Sequence, residues 1–253
     1  MSRPRLFILL EQIRDNHITI DGTDVNHIKN VLRLRVGDKL ALSDSADFEY
    51  QTEITEIHSS KVVTMISRKT NIEPVYPQVT LLQAIPKGTK MDTIVRQATE
   101  LGVSSIVPIV TSRTVVRLDE KKKVKKQIRW QKIAKEAAEQ SQRSTVSKVI
   151  APISWDETLR MILSFDLVIA FWEEARELFS GTVFDRFEAD LPKSCGIIIG
   201  PEGGFSSDET EDLINQGAHC LSLGKQILRT ETASTVALGV FFYELRKLSD
   251  GRV

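Results

Sequence analysis

Residues Cys195–Glu209 read CGIIIGPEGGFSSDE, an apolar run, a glycine-rich bend and a helix start following one another without a gap. A run with no polar alternation suits a strand buried on both faces, as in a parallel sheet covered by helices. Ser206 followed three positions later by Glu209 is a capping-box pair, which predicts where the next helix begins. Gly200, Gly203 and Gly204 allow backbone conformations and a close ligand approach that a Cβ would forbid. The bend has no GK[ST] of a phosphate loop and no GxGxxG of a dinucleotide fold.

A second stretch of the same kind follows. HCLSL (219–223) reads as a strand, and Leu223–Ala233, LGKQILRTETA, carries it through Gly224 and a short loop into a helix that Thr230 is placed to cap. Open α/β sheets bind ligands where such turns leave the carboxyl ends of strands. Arg229 stands just before that helix, where unpaired N–H groups and the positive end of the macrodipole disfavour a cation. A broken local rule tends to mark a working site. The bland reading is a salt bridge from Arg229 to Glu202 or Glu231.

Working outward, the preceding chain alternates strands and helices. VTLLQAIP, SSIVPIV, DLVIAFW and CGIIIG read as strands, with helices over Met91–Leu101, Asp119–Arg143, Asp156–Leu163, Ser206–Gln216 and Thr230–Lys247. Residues 5–69 differ: RLFIL, HITI, DKLALS, FEYQTEITEI and KVVTMIS are short β-like runs interrupted by one helical segment, Asp24–Leu34, and predict a small β-barrel. Between the two regions, Pro74 and Pro77 in NIEPVYPQ suit an extended linker. The expected domains are therefore 1–72 and 73–253.

Composition narrows the class less than pattern does. In 253 residues, 34 basic side chains balance 34 acidic ones, so a nucleic-acid surface must be sought in local charge. The apolar run near the amino terminus is interrupted by Glu11, lacks a cleavage site and reads as a first strand. No stretch approaches the roughly 20 apolar residues of a membrane span, which makes the cytoplasm the expected compartment. Cys195 and Cys220 sit beside strand-like runs without metal-ligand spacing and read as buried free thiols. Trp130, Trp155 and Trp172 lie in apolar patterns and are expected in cores or interfaces.

IGPEGGFSSDE followed by LGKQILRTETA resembles the paired signature of the bacterial 16S ribosomal RNA uracil-N3 methyltransferases, of the SPOUT class. HIKNVLRLRVGD, QAIPKGTKMDTIVRQATELGV, Ser112–Arg113 and RWQKIAKEAAEQSQR are also similar to family segments and occur in the family's order. The resemblance covers essentially the whole chain. It implies an N-terminal PUA-like β-barrel that helps hold RNA and an α/β methyltransferase domain whose C-terminal part forms a trefoil knot. It also implies S-adenosyl-L-methionine as cofactor, 16S ribosomal RNA or the small subunit as partner, and a homodimer.

By that similarity the cofactor is enclosed by Ile199, Gly200, Glu202, Gly203, Gly204, Leu223, Gly224, Ile227 and Leu228, with Ile227 and Leu228 against its adenine. Arg229 is expected to meet the target phosphate or the charge developing on the base, and Glu202 is the candidate proton acceptor. Arg3, Arg5, Lys29, Arg33, Arg35 and Arg113 are the expected RNA contacts, and the lysine run 121–126 with Arg129 is either a further contact or a solvated face. Two departures from the family pattern stand out. Lys225–Gln226 replace an arginine before ILRTETA, and Gln142 follows AEQS where a glycine or small residue is usual. The alternatives are a SPOUT enzyme with another RNA target and a non-catalytic RNA-binding assembly factor.

Overall fold

The computed structural model of the chain describes residues 3–73, 77–115, 119–185, 187 and 191–250. Contacts divide it into two compact units, Met1–Pro74 with Ala138–Val146, and Val75–Ala137 with Ser147–Val253. Pro74 of the expected linker lies outside the described residues.

The first unit contains β1 (Arg5–Phe7), β2 (Ile13–Arg14), β3 (His17–Asp21), the helical turn α1 (Thr23–Asn26) widening through His27–Val31, β4 (Lys39–Ser43), β5 (Phe48–Ile57) and β6 (Lys61–Asn71). They form one six-stranded sheet in the order β1-β4-β5-β6-β3-β2. β1 lies parallel to β4, and the other pairs are antiparallel. Alternation puts Ile18 and Ile20 of β3, Leu40 and Leu42 of β4, and Tyr50 and Ile54 of β5 on the inner face, where they share one core with Leu6, Val25 and Ile28. A barrel is predicted from sequence; the hydrogen-bonded ladder ends at β1 and β2, with no rung between them among the described residues.

The second unit runs β7 (Gln78–Ala84), α2 (Lys90–Leu101), β8 (Ser105–Ile109), α3 (Glu120–Gln140), β9 (Lys148–Val149), α4 (Trp155–Ile162), β10 (Leu167–Phe171), β11 (Ser194–Ile199), α5 (Ser207–Asn215), β12 (His219–Leu221) and α6 (Thr230–Asp250). Its sheet is wholly parallel, in the order β12-β10-β11-β7-β8-β9. The two-residue β9 has no counterpart among the sequence expectations, being too short to show a period, and neither has the 3-10 turn Gly181–Phe184. Leu82, Ala84, Val107, Ile109, Val168, Ala170 and Ile198 face one side, against Ile162 of α4 and Leu213 of α5. Leu81, Ile106, Ile169 and Ile197 alternate with them and are equally buried. Burial on both faces is why these strands read as continuous apolar runs. Of the described helices, none is long and apolar enough to cross a membrane. Cys195 is buried and Cys220 half-buried, and neither forms a disulfide.

The chain changes direction at β7 and β11. From β7 it proceeds outward to β8 and β9; β11 is inserted beside β7, and the chain then leaves for β12 beyond β10. The connections after β7 and β11 thus diverge, opening a crevice at the carboxyl ends of the strands.

Helices α2 and α3 end in the same Schellman geometry. After α2, the N–H of Gly102 bonds to the carbonyl of Thr99 and that of Val103 to Ala98, with Gly102 at φ +118°. After α3, Gln142 bonds to Glu139 and Arg143 to Ala138, but the left-handed position is held by Gln142 at φ +59°. A side chain there carries a left-handed cost of about 1–2 kcal/mol, partly offset by its lower unfolded-state freedom relative to glycine. The turn leads Ala138–Val146 into the first unit, where Arg5 grips Glu49 through two hydrogen bonds, at 2.6 and 3.1 Å. Ser144 accepts a third bond from Arg5 and donates to Glu49, while its carbonyl accepts from Ser43 at 2.6 Å.

Gln142→Gly is expected to raise the unfolding free energy by up to about 1 kcal/mol in urea titration, with Gln142→Ala giving no gain. Burial opposes ionisation of Glu49, but hydrogen bonds from Arg5 and Ser144 and the charge of Arg5 outweigh it and hold the carboxyl below its ordinary value. The pair's stabilisation is therefore complete above the unfolded pKa of about 4.5 and is lost as pH falls through the lower folded value. Wild type should lose stability more steeply than Glu49→Gln between about pH 5 and pH 3; parallel curves would contradict this.

Candidate active site

Three neighbouring parallel strands end at one cleft of about 250 Å³. β10 contributes Phe171, Trp172 and Glu173, β11 contributes Ile199–Glu202 and Gly204, and the loop after β12 contributes Ser222–Gly224 and Gln226–Arg229. Lys90 of α2 and Thr230 and Ala233 of α6 complete the lining. Both turns singled out in the sequence therefore open into one cavity, with Ile199, Gly200, Glu202, Gly204, Leu223, Gly224, Ile227, Leu228 and Arg229 on its wall. Gly203 is not on the wall; its carbonyl accepts a hydrogen bond from Arg113 at 2.6 Å.

A buried polar network fixes the two turns to each other. Gln83, fully buried on β7, donates to Thr230 Oγ1 at 3.0 Å, and Thr230 donates in turn to the carbonyl of Gly200 at 2.8 Å. Ser234, one turn later, donates to Gln83 Oε1. Thr230 is therefore a staple to β11 rather than the cap predicted from sequence. The cap position belongs to Arg229, whose carbonyl accepts the first helical bond, from Ala233 at 2.8 Å. Ser206, by contrast, caps α5 as expected, with Glu209 N–H on its hydroxyl and Glu209 Oε2 on its own N–H. The other oxygen of Glu209 receives Ser112 N–H at 2.6 Å, so the Ser112–Arg113 segment is held against the glycine turn from two points.

Gly204 carries φ +67°, and a Cβ there would stand 2.1 Å from Glu173 Oε1. The missing side chain is what lets the Glu173 carboxylate lie along the turn. Gly224 is also left-handed, at φ +124°. Ile227, 88% exposed, presents an apolar side chain at the cleft with little of its own protein covering it, an arrangement suited to a flat apolar ligand.

Charge at the cleft is arranged around Lys90. Its ammonium lies 3.0 Å from Glu202 Oε1 and 3.5 Å from Glu231 Oε2. Glu202 Oε1 also accepts the Lys87 N–H at 3.1 Å. Burial raises the Glu202 carboxyl pKa, but its own backbone N–H, Lys90 and the Lys87 N–H together hold it below the ordinary value. The hydrogen bond that Lys90 donates to Glu202, and then the charges of both carboxylates, push the Lys90 pKa upward against the opposing effect of burial. Arg229 is exposed and forms no ion pair or side-chain hydrogen bond among the described residues. The bland reading, a salt bridge to Glu202 or Glu231, is not what the structure contains.

The remaining predicted residues have mixed fates. Arg33 and Arg35 in the first unit are exposed with no side-chain partner among the described residues. Arg3 donates to Gln51 and Lys29 to the carbonyl of His58. Arg5 is only 10% exposed and committed to Glu49, so it is an internal brace rather than a free cation. In the lysine run, Lys122 and Lys123 pair locally with Asp119 and Glu120, Lys126 lies over the Trp130 ring and Arg129 binds Asp92. Of the tryptophans, Trp130 is buried, Trp155 bonds to Asp212, and Trp172 both packs on the core and lines the cleft. Sequence reading missed Lys90 and the Phe171–Glu173 wall. The run DLVIAFW carried the signal for the wall, as a third parallel strand ending beside the other two. Nothing local to Lys90 announced it.

An RNA methyltransferase domain model matches residues 73–241 and an RNA methyltransferase PUA domain model residues 20–64. The ribosomal RNA small subunit methyltransferase E of Bacillus subtilis is 37% identical over 233 residues, 91% of each chain. The chain belongs to this RNA methyltransferase family. Among solved structures, the same enzyme from Neisseria gonorrhoeae, bound to S-adenosyl methionine, superposes with a TM-score of 0.79 at 29% identity, covering 95% of this chain and 97% of that one. A Legionella pneumophila protein in complex with the same cofactor gives 0.83 at 29% identity, with the same coverage. Family membership accounts for the coincidence of the two turns in one cleft.

The glycines of the turn differ in a measurable way. Gly204→Ala should lower the unfolding free energy by about 1–2 kcal/mol through its left-handed backbone and displace Glu173. Gly203, without a left-handed φ and with its nearest foreign atom 3.5 Å from a built Cβ, should tolerate alanine within about 0.5 kcal/mol. Equal losses in thermal unfolding would refute this distinction.

Proposed function

We propose that the protein transfers a methyl group from S-adenosyl-L-methionine to N3 of a uridine in 16S ribosomal RNA of the small subunit. The observation that carries the reading is the shared cleft of the two turns, with Ile227 uncovered on its wall and Arg229 unpaired at its edge. Support comes from the family membership, from relatives named for ribosomal RNA methylation and from neighbours solved with the cofactor. The reading includes a homodimer in the cytoplasm and a C-terminal segment threaded as a trefoil knot.

The cleft fits the cofactor on its own terms. Gly204 leaves a cradle that a Cβ would fill, Ile227 and Leu228 offer apolar surface, and Glu173 supplies a carboxylate for a cationic ligand. Bound S-adenosylmethionine supplies a methyl on a positively charged sulfur, which becomes a neutral thioether when the methyl leaves. The acceptor must lose its N3 proton as the N–C bond forms, so negative charge grows on the uracil ring and its carbonyl oxygens. Arg229, a cation with five donors and no competing partner among the described residues, is placed to stabilise that charge or the target phosphate. Holding the two reactants in line supplies much of the remaining acceleration.

Glu202 suits a different task from proton removal. Its Oε1 is occupied by Lys87 and Lys90, and its lowered pKa makes it a weak base. The proton passes to solvent in this reading, and Glu202 anchors Lys90. On the RNA side, Arg33, Arg35 and Arg113 remain as phosphate contacts, with Arg3 beside Gln51 and Lys29 beside the His58 carbonyl. Arg5 is left out because Glu49 already holds it.

Mass spectrometry of ribosomal RNA from cells lacking the protein should show loss of one 3-methyluridine in 16S RNA. Loss of another mark would indicate a different RNA target, and an unchanged set of marks a non-catalytic binding factor. Arg229→Ala should lower single-turnover methyl transfer about 10²-fold with cofactor affinity retained. Full activity at saturating RNA would remove Arg229 from the mechanism.

A further inference from the structure

The starting point is why Arg229 stays unpaired. Glu231 lies two positions further along, in the first turn of α6, and Glu202 lines the same cleft as Arg229, yet neither carboxylate pairs with it. Both are instead directed to Lys90, at 3.0 and 3.5 Å. We propose that Lys90 is a positioning residue, which engages Glu202 and Glu231 and so keeps the Arg229 guanidinium free for the acceptor nucleotide. This inference rests on the methyl transfer proposed above and assigns a role within that same site.

The geometry makes the arrangement one-sided. Glu202 is pinned by two donors of the same β7–α2 turn, the Lys87 N–H and the Lys90 ammonium, both on Oε1. Glu231 Oε2 is buried and has no hydrogen-bond partner, so the Lys90 charge at 3.5 Å is its compensation. A buried carboxylate left without a cation is costly, and it would recruit another. Among the described residues lining the cleft, the only other cation is Arg229. Two positive charges near the start of α6 then have a division of labour. Lys90 neutralises the acidic residues that offset the helix dipole, and Arg229 keeps its donors for the substrate. A merely structural Lys90 would steady the start of α2 without affecting Arg229.

The test uses the full-length protein and ¹⁵N NMR of the Arg229 side-chain Nε–Hε group, which reports pairing without any RNA. Lys90→Met should slow exchange of that proton with water about tenfold or more as Arg229 pairs with a released carboxylate. It should also lower single-turnover transfer about 10- to 100-fold, with S-adenosylmethionine affinity changed less than about threefold by calorimetry. Lys90→Arg, which keeps the cation, should behave like wild type. The triple variant Lys90→Met, Glu202→Gln, Glu231→Gln should restore fast exchange. Unchanged Arg229 exchange in Lys90→Met overturns the inference, as does slow exchange that persists in a triple variant of normal melting temperature. Should wild type methylate no ribosomal RNA, the proposed function fails, while the exchange measurement still decides whether Lys90 keeps Arg229 free.

Discussion

The second unit depends on a hydrogen-bonded chain that has no access to water. Gln83 is fully buried on β7, and its amide requires partners on both its nitrogen and its oxygen. Thr230 and Ser234 supply them, and Thr230 passes the chain on to the carbonyl of Gly200 at the end of β11. Leaving any one of these groups unsatisfied costs about 1–3 kcal/mol, so the start of α6 has little freedom to sit anywhere but at the end of β11. That constraint turns two sequence-distant glycine bends into one cleft. It also decides where Arg229 falls, since the residue before Thr230 must emerge at the cavity edge.

An arginine at a helix cap position costs a few tenths to about 1 kcal/mol against the dipole. The first turn of α6 contains Glu231, which offsets part of that cost, and Glu231 in turn needs Lys90. The unfavourable residue is thus embedded in a group of charges whose members satisfy one another and leave Arg229 over. Such a surplus is expensive to maintain for stability alone. It is reasonable at a site where a negative charge arrives from outside and leaves again.

Much of this was legible in the sequence where the determinant was local. The Ser206–Glu209 box fixed the start of α5 because both partners lie within one turn, and unbroken apolar runs announced parallel strands buried on both faces. The two ligand turns were visible as strand, glycine and helix start in succession. Legibility failed where the partner was remote. Arg5 looked like a phosphate contact because Glu49, on the neighbouring β-ribbon, is 44 positions away. Thr230 looked like a cap because the Gly200 carbonyl it binds is 30 positions away. Lys90 was unremarkable for the same reason. Gln142 was noticed as a departure from glycine, and the left-handed backbone supplies the physical reason, but that its turn delivers Ala138–Val146 to the first unit follows only from the three-dimensional contacts.

The charges that line the cleft bear on which ligands suit it. Glycine-rich turns before helices commonly cradle phosphates, because N–H groups and the helix dipole favour anions. Here the turn after β11 has a carboxylate, Glu173, laid along it where the Gly204 side chain is missing, and a second, Glu202, within it. A polyphosphate would meet repulsion from Glu173, with Lys90 already engaged by Glu202. A donor carrying its own positive charge meets attraction at Glu173 instead, while negative charge is welcome beside Arg229. In the proposed reaction the positive charge of the donor disappears as negative charge on the acceptor is quenched by the new bond. A cleft that presents both the Glu173 carboxylate and the Arg229 guanidinium matches the charges of the reactants better than those of the products, which also favours release once the methyl has moved.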